Sequence, residues 1–256
     1  MPTPDPIAFT IFNIDIMWYA IMITSGIITG TVICCRRSQK HGLSSDRILN
    51  FVIICIPMAI IGARLYYVIF NWSIYEGDLI KILNTRAGGL AIHGGLILGI
   101  ATAAVLCLIW KIRPLNLMDL AAPSIAIAQS IGRWGNYFNS EAHGGPTDLP
   151  WAITVNGQSV HPTFLYESIW CFILFFLLLY VDNRRRFEGQ TFLVYCILYS
   201  AERFLVEALR TDSLMIGPFK QAQVLSITVI IISIILYILL YKKNNKQKEN
   251  DKPNRS

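Results

Sequence analysis

The chain has 256 residues, 54% hydrophobic and only 15% charged, with a formal net charge of +6. It is too apolar for an ordinary soluble domain, and its apolar runs reach bilayer-spanning length. Its basic residues sit in short loops and a C-terminal tail beside those runs, where membrane topology and anionic lipid account for them, so no nucleic-acid partner is expected.

Met1 to Asn13 lacks the basic region that precedes a secretory signal's apolar segment, so Ile14 to Cys35 is expected to be a retained first span. Six further runs follow: Ile48 to Phe70, Leu90 to Trp110, Leu117 to Ile131, Thr163 to Val181, Thr191 to Leu209 and Val224 to Tyr241. The expected fold is therefore all-α, a polytopic membrane bundle of seven transmembrane helices. The fourth run is short: about 15 residues cover about 22 Å, against a hydrocarbon core of about 30 Å. Its helix must continue into Gly132-Arg133 or stop within the membrane, and either outcome sinks Arg133 below the surface.

Orientation follows the loop lysines and arginines. With the N-terminus outside, the inner loops hold Arg36, Arg37, Lys40 and Arg47, then Lys111 and Arg113, then Arg184, Arg185 and Arg186, and the basic tail 242–256 follows. That tail has no apolar periodicity and is expected to be a disordered cytoplasmic end. Segments 71–89 and 132–162 then open on the outer side, joining spans of one domain over residues 1–241. Asn71 to Gly89 mixes Trp72, Ile74, Tyr75 and Leu79 with Glu76, Asp78 and Lys81, which suits an interfacial amphipathic helix serving as an anchor. All six cysteines fall in or at the ends of apolar runs, as small buried hydrophobes without metal-type spacing.

The densest polar stretch is Gly132-Arg133-Trp134-Gly135-Asn136-Tyr137-Phe138-Asn139-Ser140-Glu141-Ala142-His143-Gly144-Gly145. A guanidinium, amides and a carboxylate at the end of an apolar run should face a polar interior. A snorkelling arginine alone would explain one residue of this stretch, not its polar and glycine density. If the helix persists, Arg133 and Asn136 share a face, and Arg133 offers a forked donor suited to phosphate or carboxylate.

Other polar groups also lie at membrane depth. His93, followed by two glycines, sits at the outer end of the third span, at the level of the Gly132–Gly145 stretch. On the sixth span Arg203 and Glu207 are four apart on one helical face. A central arginine costs roughly 2.5–3.5 kcal/mol to insert, so Arg203 needs an anionic partner, either Glu207 or a lipid phosphate that Glu207 helps it hold. Arg64 on the second span is expected to pair with Glu207 or Glu167. Tyr19 is by position an interfacial aromatic, and His161-Pro162-Thr163-Phe164-Leu165-Tyr166-Glu167 opens the fifth span with a proline near the helix start.

The stretch from Gly132 to Gly145 resembles the signature of the bacterial phosphatidylglycerol:prolipoprotein diacylglyceryl transferases. Ala91-Ile92-His93-Gly94-Gly95, the His161–Glu167 run and Arg203-Phe204-Leu205-Val206-Glu207 are similar to further motifs of that family, in its order. One departure is Arg210-Thr211-Asp212, where the family often has Arg-x-Pro-Asp. The resemblance implies transfer of the diacylglyceryl group of phosphatidylglycerol to the lipobox cysteine of a preprolipoprotein signal peptide, at the outer face of the bacterial cytoplasmic membrane. It also implies roles in activity or lipid binding for Tyr19, His93, Arg133, Asn136, Glu141, Gly144, Arg203 and Glu207. The chemistry needs a thiolate and fixed donors for a leaving phosphate, so neither cofactor nor metal is expected.

Two other classes compete. A transporter or lipid flippase would also carry broken helices and midplane charges, but it should show a second, inner polar cluster or a repeat between halves. An intramembrane protease needs a serine in a Gly-x-Ser setting or paired membrane aspartates, and Asp119 stands alone near the inner end.

Overall fold

In the computed structural model, residues 4–85 and 88–250 are described. In chain order the elements are β1 (Ile7–Ile11), β2 (Ile14–Met17), α1 (Trp18–Ser38), a 3-10 turn (Gln39–His41), α2 (Ser45–Phe70), α3 (Trp72–Tyr75), α4 (Leu79–Leu83), α5 (Ile92–Ile109), α6 (Pro114–Phe138), β3 (Ile153–Val155), β4 (Gln158–Val160), α7 (Thr163–Asn183), α8 (Gln190–Leu209), β5 (Met215–Ile216), β6 (Phe219–Lys220) and α9 (Gln221–Asn250). The strands pair only as antiparallel hairpins, β1 with β2, β3 with β4 and β5 with β6.

Among the described residues, five helices are long and apolar enough to cross a membrane: Trp18–His41, Ser45–Phe70, Ile92–Ile109, Thr163–Asn183 and Gln221–Lys248. Between 11% and 39% of each apolar window is buried within the protein. Their exposed Ile, Leu and Phe side chains are surface suited to acyl chains rather than water. α6 and α8 are as long, and carry the polar groups.

The elements form two compact units, residues 35–117 and residues 4–34 with 118–250. In the first, α2 lies against α5 at a crossing of two glycines. A Cβ on Gly62 would come within 2.5 Å of the Gly94 carbonyl oxygen, and one on Gly94 would strike that of Gly62. Only glycine at both positions lets these backbones approach so closely. At the far end, buried Asn116 donates to the His41 carbonyl at 2.8 Å and meets its Nδ1 at 3.0 Å, tying the 3-10 turn to the start of α6.

Arg64, buried on α2, takes up the 71–89 segment. Its guanidinium donates to the carbonyls of Lys81 (2.6 Å), Ile82 (2.8 Å), Gly88 (2.8 Å) and Gly89 (2.9 Å), and stands 4.9 Å over the Tyr75 ring. The carboxylate partner expected for Arg64 is thus replaced by backbone carbonyls of α4 and of Gly88 and Gly89 in its own unit. The segment itself is two single-turn helices, α3 and α4, rather than one amphipathic helix, because Gly77 takes a φ of +79° between them.

In the larger unit the first helix starts at Trp18, not Ile14. Ile14-Asp15-Ile16 alternates with the period of a strand and pairs with β1 across a two-residue turn. Phe12 and Asn13 hold φ of 49° and 58° there, the left-handed pair that a tight hairpin requires. α6 runs unbroken from Pro114 to Phe138, 25 residues or about 37 Å, so the fourth helix is not short and the segment after it begins at Asn139. α9 likewise continues to Asn250, so most of the basic tail is helical; Lys252 and Arg255, like Arg86 of the 71–89 segment, lie outside the described residues.

Two polar links register the helices on which the site is built. Ser130 and Ser168 exchange hydroxyl-to-carbonyl hydrogen bonds at 2.8 Å, joining α6 to α7. Asp119 on α6, fully buried, caps α8: its carboxylate accepts from the backbone N–H of Gly189 at 2.7 Å and of Phe192 at 2.9 Å, and pairs with Arg185 at 3.2 Å. Between these links Ala122, Ala126, Leu174, Leu178 and Tyr195 close an apolar core. Asp119→Ala removes the acceptor of two backbone N–H groups and is expected to destabilise the protein by about 1–3 kcal/mol, read as a fall in the thermal unfolding midpoint in detergent. Asp119→Asn, which retains one acceptor, should lose less.

Candidate functional site

Three helices bring their charges to one place. α7 supplies Glu167, whose carboxylate is shut off from solvent and faces two arginines. Oε1 accepts from Arg203 Nη1 at 2.9 Å, and Oε2 lies 3.1 Å from Arg133 Nη1. The second contact is an ion pair off the N–H axis, because Oε2 has no directed hydrogen bond. The same holds for Glu207 Oε2, 2.6 Å from Arg203 Nη2 one helical turn away on α8. Arg133 completes its contacts by donating from Nη2 to the Tyr199 hydroxyl at 3.1 Å. The arginine side chains remain 21% and 22% exposed while the glutamates beneath are 0% and 3% exposed. Two partly exposed arginines therefore converge on buried carboxylates. One residue before Arg203, Glu202 is also buried, with neither carboxylate oxygen hydrogen-bonded.

The motif beyond Arg133 folds back on itself. α6 persists through Asn136, so Arg133 and Asn136 do share a face. Asn136 Nδ2 donates to Glu141 Oε1 at 2.9 Å, Asn139 adds a longer contact at 3.4 Å, and the Glu141 N–H donates to the Asn136 carbonyl at 3.1 Å. Ser140 and Ala142 take φ of 55° and 56° to make this turn. The chain then pairs with α7's approach and α8's exit: Gly144 donates to His161 O at 2.9 Å, Gly145 to Leu209 O at 2.9 Å, and Thr163 Oγ1 to Ala142 O.

Gly144 is required here for space. A Cβ would lie 2.7 Å from His161 Cβ and 3.1 Å from the Leu209 carbonyl. Gly144→Ala must push the segment off one neighbour, and is expected to cost about 1–3 kcal/mol, measured as a lower unfolding midpoint. The α8 exit is held from below by Lys220, whose ammonium donates to the carbonyls of Glu207 (2.7 Å) and Arg210 (2.7 Å), satisfying groups a helix end leaves open. Arg210 in turn grips Asp212 with two hydrogen bonds, 2.9 and 2.7 Å, which hold that carboxyl below the usual range. Whatever stability this half-exposed pair adds is present above the ordinary carboxylate pKa and lost as pH falls through the lowered one.

Of the other residues singled out in the sequence, Tyr19 opens α1 with its ring against Gly135, and neighbouring Trp18 stacks on Phe138 at 5.0 Å. His93 belongs to the other unit, exposed in the first turn of α5, its ring 6.1 Å from that of Tyr66. Two residues of the cluster escape sequence reasoning. Glu167 is given a role there only as a partner for Arg64 and Tyr199 carries no signal, since only proximity between helices gives either its role.

The chain matches the family model described as prolipoprotein diacylglyceryl transferase over residues 6–239. It is 50% identical over 240 residues to the phosphatidylglycerol–prolipoprotein diacylglyceryl transferase of Clostridioides difficile strain 630, covering 94% of this chain and 97% of the relative. The protein of the same name from Finegoldia magna is 49% identical over 246 residues, 96% of this chain and 99% of that one. Its namesake from Clostridium novyi is 43% identical over 258 residues, at 97% and 99%. Matches of this length take in the Arg133, Glu167 and Arg203 helices together, and the chain belongs to the prolipoprotein diacylglyceryl transferase family.

Proposed function

We propose that this protein transfers the diacylglyceryl group of phosphatidylglycerol to the thiol of the lipobox cysteine in a preprolipoprotein signal peptide. The cysteine sulfur bonds to the glycerol carbon, that carbon's bond to the phosphate oxygen breaks, the thiol proton passes to a base, and glycerol phosphate leaves beside the new thioether. The observation that carries this is the single buried carboxylate of Glu167 shared by Arg133 and Arg203, both of whose side chains remain about one-fifth exposed. Fixed donors aimed where charge grows on a leaving phosphate are what the step demands.

In this scheme Arg133 and Arg203 hold the phosphate, Asn136 donates to the headgroup, Glu141 orients Asn136, and Glu207 steadies Arg203. His93 takes the thiol proton or orients the thiol. Gly144 keeps the segment after Glu141 against the end of α8, and Tyr19 lies against Gly135 near the end of α6. The chain would sit in the bacterial cytoplasmic membrane with α1, α2, α5, α6, α7, α8 and α9 as seven spans, its N-terminus outside, its C-terminus cytoplasmic and the site toward the outer leaflet. The test is direct: purified protein, phosphatidylglycerol and a lipobox peptide should yield a diacylglyceryl adduct on the cysteine by mass spectrometry. Properly folded protein that gives no adduct would return lipid transport to the front.

A further inference from the structure

Glu167 meets both arginines through separate oxygens and has no exposed surface, so it lies behind the two guanidiniums rather than in a substrate's path. Without it, two like charges brought close together would repel and turn apart. With it, Nη1 of each guanidinium is fixed on one carboxylate, while Nη2 of Arg133 meets the Tyr199 hydroxyl and Nη2 of Arg203 meets Glu207, so both planes are held. Counting formal charges, Arg133 and Arg203 are matched by Glu167 and Glu207. These four groups carry no net charge and the adjacent buried Glu202 adds no cation, so orientation rather than surplus positive charge must do the recognising.

We propose that Glu167 is a positioning residue that yokes Arg133 and Arg203 into one two-armed clamp, each arm taking one non-bridging oxygen of a phosphodiester. This rests on the transfer reading above and extends it to a residue that touches neither lipid nor thiol. Glu167→Gln tests it, since it keeps the shape, removes one negative charge and sets an amide N–H against one of the arginines. That arm should swing free while the cluster gains a positive charge. Turnover should fall about 100-fold, the scale on which a reacting group displaced by about 1 Å is felt. KM for phosphatidylglycerol should drop, and added glycerol phosphate should inhibit more strongly. Glu167→Asp restores the charge but is one methylene too short to reach both arginines. It should lose turnover without the fall in KM.

The assay is thioether formation by detergent-purified, monodisperse full-length protein with phosphatidylglycerol vesicles and a lipobox peptide. A residue that merely filled the bundle would lower the yield of folded protein but leave wild-type kcat and KM in what folds, and that outcome overturns the yoke. If Glu167→Gln gives no folded protein, Glu167→Asp decides by the same two constants. If neither folds, Glu167 belongs to the scaffold and the proposal falls. Wild-type protein run alongside separates the two failures: an inactive wild type overturns the transfer reading, whereas an active wild type with an equally active Glu167→Gln overturns the yoke alone.

Discussion

Exchanging Arg133 for lysine is expected to slow thioether formation by about two orders of magnitude, near 2.7 kcal/mol of barrier, while the protein still folds and inserts. Arg133 spreads its work over two nitrogens, Nη1 toward Glu167 and Nη2 to the Tyr199 hydroxyl, both at 3.1 Å. A lysine ammonium is a single centre and cannot reproduce that fork. Its charge still offsets Glu167, so the buried carboxylate is not stranded and the folding penalty of breaking a buried pair, about 3–5 kcal/mol, is avoided. Arg133→Ala removes both fork and charge and should combine loss of activity with poor accumulation. Initial rates of adduct formation, normalised to the amount of membrane-inserted protein, separate the two effects. A lysine variant at wild-type rate would remove Arg133 from the clamp.

His93→Asn is expected to reduce the rate by about 10²–10⁴, the usual contribution of a positioned general base. A cysteine thiol of pKa near roughly 8.5 is only slightly ionised at neutral pH, and a base makes up that shortfall. The profile against pH tells the two roles of His93 apart. If it removes the proton, the variant recovers part of the lost rate as pH approaches 9 and the peptide thiol ionises unaided. If it orients the thiol, the deficit persists across the range. An Asn variant with normal turnover at pH 7 would exclude both.

What could be read beforehand followed from spacing within a single helix. Arg203 and Glu207 are four residues apart, and a helix places such residues on one face. Their 2.6 Å contact needs no knowledge of neighbouring helices. Arg133 and Asn136 share a face for the same reason once α6 continues past Ile131. Glu167 is different: it lies 36 residues from Arg203 along the chain, and only the packing of α7 against the arginine-bearing helices makes it the common partner. Arg64 misleads in the opposite direction. A buried arginine suggests an acid, but backbone carbonyls satisfy it equally well, and carbonyls belong to every residue and leave no trace in composition. The N-terminal hairpin was hidden by its apolar character, since Ile14-Asp15-Ile16-Met17 can extend a helical run as readily as form a strand.

The cap that Asp119 places on α8 has a geometric corollary. Arg133 lies fourteen residues beyond Asp119 on α6, and Arg203 lies fourteen beyond the capped Gly189 on α8, so two co-directional rods are pinned at one level and meet Glu167 about 21 Å further on. Their phase is locked over four turns. One residue inserted between Asp119 and Arg133 would rotate the guanidinium by about 100° and swing it out of reach, whereas a seven-residue insertion would leave it about 20° from its original azimuth and about 10 Å displaced along the axis. Length variation in this family should accordingly collect in the loops and tails, with the stretches from cap to arginine held at constant length.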